Sequence, residues 1–200
     1  MAGSPLTDTS QNHEQPTRVL IVIPIIHTEH DMGSLSEQTK QAYVARYGDE
    51  KWAEHLKAID NVWSGIRQMV TELELPYAKV RLYQDGLPLC GKEADIVKEI
   101  ATQGSKNHQL LIELMEQGAQ LMGTEDPKIL LQEYQLHQGA LGGEQGDENQ
   151  REEQEGRKLL AERDRFIAGQ INATLSAGEL GLLFLGLTHA AEPLLDTDIT

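Results

Sequence analysis

The sequence predicts an α/β protein built on a mainly parallel sheet flanked by helices, with its site at the carboxyl ends of the strands. Three observations predict it. Val19 to Ile26 is an unbroken run of aliphatic and β-branched residues, a pattern that suits a strand covered on both faces. Strand-like and helix-like segments alternate along the chain. Each of the four strand candidates is followed by residues capable of acid–base or ligand chemistry, and parallel strands open all such turns onto one edge.

The elements follow in order. Residues 1 to 17 are polar, carry two prolines and read as a disordered tail. Pro24 cannot donate to a ladder, so it marks the end of the first strand or an edge position. Ser34 and Glu37 have capping-box spacing for a helix to about Tyr47. A long helix runs from about Glu50 to Leu73. Trp52, Leu56, Ile59, Trp63, Ile66, Met69, Val70 and Leu73 recur there at helical spacing, so both tryptophans read as core. Lys79 to Gln84 is the second strand, closed by an Asp85-Gly86 turn. Helices are expected at Lys92–Thr102 and Asn107–Gln117, and a short third strand at Gln120–Gly123. Asp126 caps the next helix, with Pro127 at its first position, and that helix reaches about His137. Residues 139 to 156 are rich in Gly, Glu and Gln and read as a flexible acidic segment or as an extension of the following helix. That helix spans Arg157–Leu175, with Leu159, Leu160, Ile167, Ile171 and Leu175 on one side and Gly178 as its stop. Leu180 to Leu185 is the fourth strand. Residues 18 to 200 thus form one domain, within the usual size for 200 residues.

Composition narrows the function. The formal net charge of −15 opposes phosphate backbones and anionic lipid, so neither nucleic acid nor membrane is an expected partner. Six acidic residues against one arginine between Glu144 and Glu155 make a solvated segment, not a recognition patch. No apolar run approaches the roughly 20 residues of a membrane span. No basic start and apolar stretch of a signal peptide opens the chain. The one cysteine, Cys90, excludes an internal disulfide and suits a cytoplasmic setting. Its plain reading is a small apolar residue. A homo-oligomer is left open.

The polar residues after the strands are the chemical signal. His27, Glu29, His30 and Asp31 follow the first, Asp85 the second, Glu125 the third and His189 the fourth. Carboxylates with imidazoles supply the ligands of a divalent transition metal that keeps an open position for water. His27, His30, Asp85, Glu125 and His189 are therefore the candidate ligands. Without metal, one histidine would take a proton from water while a carboxylate orients its ring. His13, His55, His108 and His137 read as surface residues of helices or tail. In Glu162-Arg163-Asp164-Arg165 the plain reading is a charged helical face. The functional one is that Arg163 reaches the sheet edge and binds an anionic substrate group or developing oxyanion. HExxH, GxSxG and GxxxxGK[ST] motifs are absent from the sequence, as is any CxxC pair.

Arg163-Asp164-Arg165, followed by a helix and Leu182-Leu-Phe-Leu-Gly186-Leu-Thr-His189, resembles the C-terminal signature of the TraB/Tiki group. The wider superfamily includes erythromycin esterases and the haem-binding ChaN lipoproteins. Its members carry two Gly-x-x-His turns, an arginine on a helix before the second, and acidic residues after intervening strands. Here Pro24 stands at the glycine position before Ile25-Ile26-His27, and Asp85 in Tyr83-Gln84-Asp85-Gly86 stands where the family usually has glutamate. Gly123-Thr-Glu125-Asp126 resembles a further acidic turn. The resemblance runs in order from about Val19 to Leu195. It implies an α/β fold with a site at the strand ends and a metal-dependent hydrolase, peptidase- or esterase-like, acting on a small molecule or peptide. His27 and His189 would be ligands or catalytic bases, and Arg163 would stabilise negative charge. Manganese, zinc or cobalt would serve. The alternatives are a non-catalytic haem- or metal-binding module and a regulatory protein with a decayed site.

Overall fold

A computed structural model describes residues 17–26, 36–140 and 147–200. The described strands are β1 (Val19–Ile25), β2 (Val80–Gln84), β3 (Gln120–Met122) and β4 (Leu180–Gly186). They form one sheet in the order β1-β4-β2-β3, and every pairing is parallel. The helices are α1 (Ser36–Tyr47), α2 (Asp49–Glu72), α3 (Glu93–Thr102), α4 (Lys106–Glu116), α5 (Pro127–Ala140) and α6 (Asp147–Thr174). The α/β class is as the residue pattern predicts. No helix among the described residues is long and apolar enough to cross a membrane.

Side chains alternate across a strand, so each strand feeds two cores. Leu182 and Phe184 of β4 join Ile23, Ile25, Val80 and Leu82 beneath α2, α3 and α4. Leu183 and Leu185 join Tyr83 and the Ile167, Ile171 and Leu175 stripe of α6 on the opposite face. Burial on both faces explains why β4 reads as an unbroken apolar run, whereas in β1 only Ile23 and Ile25 are buried. Pro24 is tolerated because β1 lies at the edge of the sheet.

Most elements fall where the sequence places them. Trp52 and Trp63 are buried in α2, while Met69 and Leu73, read as part of its apolar stripe, stay exposed. Helical periodicity marks a face, but α2 is packed only along part of it. Asp126 caps α5 as expected, its Oδ1 accepting from the Lys128 N–H at 2.8 Å. Of the two readings of the acidic segment, the helical extension holds from Asp147 onward. There Glu153 pairs with Arg157 and Glu155 with Lys158, one helical turn apart. Residues 141–146, the tail up to residue 16, and Ser34 of the expected capping box lie outside the described residues.

The chain tightens around the carboxyl ends of β2 and β3. The N–H groups of Thr124 and Glu125 both donate to the Leu87 carbonyl, and the Leu89 N–H returns to the Glu125 carbonyl. A Cβ on Gly123 would lie 2.7 Å from the Leu89 Cα, so only glycine lets these two turns close on each other. This clasp fixes Asp85 and Glu125 side by side.

Candidate functional site

Four residues expected at the site meet at the carboxyl edge: Asp85 after β2, Glu125 after β3, His189 after β4, and Arg163 from α6. Asp85, Glu125 and His189 offer ligand atoms that all lie within 4.8 Å of one another. Arg163 and Asp164 come from the buried stripe of α6, three to four residues before Ile167. His27 and His30 lie outside the described residues. Nothing in the described geometry bears on them.

Arg163 is the hub. Its Nε donates to Glu125 Oε2 at 2.5 Å, and its Nη2 to Asp85 Oδ1 and Glu125 Oε1, both at 2.6 Å. Its Nη1 reaches both oxygens of Glu133 on α5, at 2.7 and 3.0 Å. All five guanidinium N–H donors are thereby engaged. The anionic groups that Arg163 was expected to bind are, in this structure, the protein's own. Backbone donors complete the carboxylates: Gly86 N–H donates to Glu125 Oε1 at 2.6 Å, and Gly186 N–H to Asp85 Oδ2 at 2.9 Å.

His189 is oriented by a residue the sequence reading left in a charged helical face. Its Nδ1 lies 2.6 Å from Asp164 Oδ1, and the second Asp164 oxygen accepts from the Ala190 N–H at 3.1 Å. A carboxylate accepts, so Nδ1 carries the hydrogen and Nε2 is left for other work. Nε2 lies 3.4 Å from Asp85 Oδ1, and the His189 side chain is only 2 % exposed.

Two residues were missed in the sequence, Asp164 and Glu133. Each had a signal. Asp164 shares the buried stripe of α6 with Ile167 and Ile171. Glu133 follows the half-buried Ile129 and Leu130 by one turn on α5. An acid on the inward stripe of an amphipathic helix needs a buried partner. His108, read as a surface residue, is instead buried, its Nδ1 2.8 Å from Ser105 Oγ at the start of α4. His137 is exposed as expected, and Cys90 is exposed rather than packed.

The electrostatics follow from burial against pairing. Burial pushes the Glu125 carboxyl up, and although Arg163 opposes this, the net displacement is upward. Burial pulls His189 down, but the hydrogen bonds and charge of Asp85, with Asp164, outweigh it and raise the imidazole above its ordinary range. Burial likewise opposes the charge on Arg163, and Glu125, Asp85 and Glu133 together hold it charged.

Compared with family models, curated proteins and solved structures, the chain has no match.

Two outcomes follow from this geometry. Arg163→Met leaves buried carboxylates without their counter-charge, so it should lower unfolding stability in urea by about 3–5 kcal/mol. Arg163→Lys should recover little, because an ammonium cannot serve three carboxylates through a planar fork. Unchanged stability in Arg163→Met would show that the cluster does not hold the edge together. In metal-free protein, the His189 ring should titrate above the ordinary imidazole value of 6.5 when followed by NMR. A raised folded value means that its stabilisation is complete below the unfolded value and is lost as pH rises through the folded one. The stability difference between wild type and His189→Gln should therefore shrink with rising pH across that window. A His189 midpoint below 6.5 would contradict the pairing.

Proposed function

We propose that Asp85, Glu125 and His189 hold a divalent transition metal and that the protein is a metal-dependent hydrolase of ester or amide bonds. One observation carries this reading. Nε2 of His189 and Oδ1 of Asp85, which also accepts from Arg163 Nη2 at 2.6 Å, face each other at 3.4 Å, where a proton or a cation is shared between them. Charge supports the cation. Asp85, Glu125, Glu133 and Asp164 gather around one guanidinium and one imidazole. A dication offsets the remaining negative charge.

The donor set is one imidazole and two carboxylates, a mixture that suits manganese, zinc or cobalt and leaves a position for water. A metal so held lowers the pKa of bound water and polarises a carbonyl. The chain's own residues do the positioning. Asp164 fixes the His189 tautomer and turns Nε2 toward the other ligands. Arg163 keeps Asp85 and Glu125 together, and its charge opposes the upward push of burial on Glu125. Haem is the weaker alternative. It needs an apolar slot beside an accessible imidazole, whereas His189 is enclosed among carboxylates. The TraB/Tiki resemblance of the Gly186–His189 turn points the same way. Cytoplasmic location fits the single cysteine.

Elemental analysis after loading purified protein with manganese, zinc or cobalt tests this. Wild type should retain stoichiometric metal and hydrolyse an activated ester. Folded His189→Ala and Asp85→Asn should retain none. Asp164→Asn should weaken binding by roughly 10- to 100-fold, the usual effect of removing an orienting partner. Metal-free wild type after loading, or full uptake by folded His189→Ala, would overturn the proposal.

A further inference from the structure

A second polar feature lies on the other face of the same sheet edge, beneath α2 and α4. Asn107 is fully buried, and among the described residues neither atom of its carboxamide has a hydrogen-bond partner. Gln84, 1 % exposed at the end of β2, has an Oε1 with no partner among the described residues. Its orientation is not ambiguous, because its Nε2 donates to the Asp85 carbonyl at 3.0 Å.

The fold brings the two amides toward one another. Gln84 follows Leu82 by two residues and so lies on the same face of β2. Leu82 packs in one cluster with Leu110 and Leu111 of α4. Asn107 precedes those leucines by one helical turn, on the same face of α4. Both amides therefore cap the upper end of one apolar seam. Trp63 stands at that end as well, its indole N–H donating to the Ile26 carbonyl at 3.1 Å.

Burying an amide without a partner is costly, and native folds rarely tolerate it without a reason. Here one donor group and two acceptors are left open at the same end of the seam among the described residues. We propose that they form a binding site for a neutral carboxamide group, which presents an acceptor and a donor in the same plane. Asn107 Nδ2 would donate to the ligand's oxygen, and Asn107 Oδ1 or Gln84 Oε1 would accept from its nitrogen. The surrounding Leu82, Leu110, Leu111 and Phe184 disfavour a charged ligand, whose desolvation nothing in that seam offsets. The site shares no side chain with the metal cluster, and it stands or falls separately from it. Because both amides are buried, entry requires local opening of the edge, and exchange is slow.

The test is an NMR titration of the intact protein with acetamide, read at the side-chain NH2 signals of Asn107 and Gln84. Those signals are assigned by their loss in Asn107→Leu and Gln84→Met. Saturable, acetamide-specific changes at both signals, absent with acetate, are expected. Asn107→Leu should melt no lower than wild type, since it replaces an unpartnered amide by an apolar group of similar size. No response to acetamide would overturn the proposal, as would long-lived water signals at the Asn107 NH2 that acetamide does not displace. A melting temperature several degrees lower in Asn107→Leu would also overturn it, because the amide would then have a partner in the protein. If that variant fails to fold, the wild-type titration decides alone.

Discussion

The Arg163 guanidinium ties together two turns and a helix that lie 30 to 78 residues before it in the chain. Asp85 comes from the end of β2, Glu125 from the end of β3, and Glu133 from α5. None of the three neighbourhoods could close over the sheet edge with its carboxylate unpaired, because a buried charge without a partner costs several kcal/mol. Arg163 itself is placed by the apolar stripe of α6 packing on β4 and β2. Core packing thus sets the position of the charge, and the charge sets the geometry of the edge.

That arrangement leaves the edge negative. A single guanidinium engages three carboxylates, while Asp164 is occupied with His189. The edge favours a proton on both Glu125 and His189, for different reasons: burial raises the Glu125 carboxyl, and Asp85 with Asp164 raises the His189 imidazole. In the metal-free chain a proton meets that demand. A divalent cation would meet it better, and it would find Asp85, Glu125 and the Nε2 of His189 already converging. The clasp between the Leu87 and Glu125 turns means that little reorganisation is needed to receive it. The amides of Gln84 and Asn107, unpartnered among the described residues, lie on the other face of β2, toward the apolar cluster of Leu82, Leu110 and Leu111.

Local signals in the chain announced the architecture well. Continuous apolar runs marked β1 and β4, and the burial of β4 on both faces is what a strand inside a parallel sheet requires. Once the strands are parallel, Asp85, Glu125 and His189 must share an edge, which is why their convergence was legible without coordinates. Asp164 and Glu133 were less so. Asp164 sits in a charged stretch of α6 and Glu133 in a polar stretch of α5, where most acids face solvent, and only their register against buried neighbours separates them. The burial of His108 and the exposure of Met69 and Leu73 were illegible for a related reason. Periodicity says which residues share a face, not how much of that face a neighbour covers. The unpartnered state of Asn107 depends on the shape of the whole seam and has no signature in its own segment.

The central claim is that the carboxyl edge of this sheet is a metal centre. Anomalous scattering from crystals grown with zinc or manganese tests it most directly. The account predicts one strong peak within bonding distance of Asp85, Glu125 and His189 Nε2, with Asp164 still on the imidazole and Arg163 still bonded to Glu133. An edge without a peak, with Arg163 and His189 paired to the same carboxylates as here, would contradict it and leave the cluster as a purely structural knot of charge.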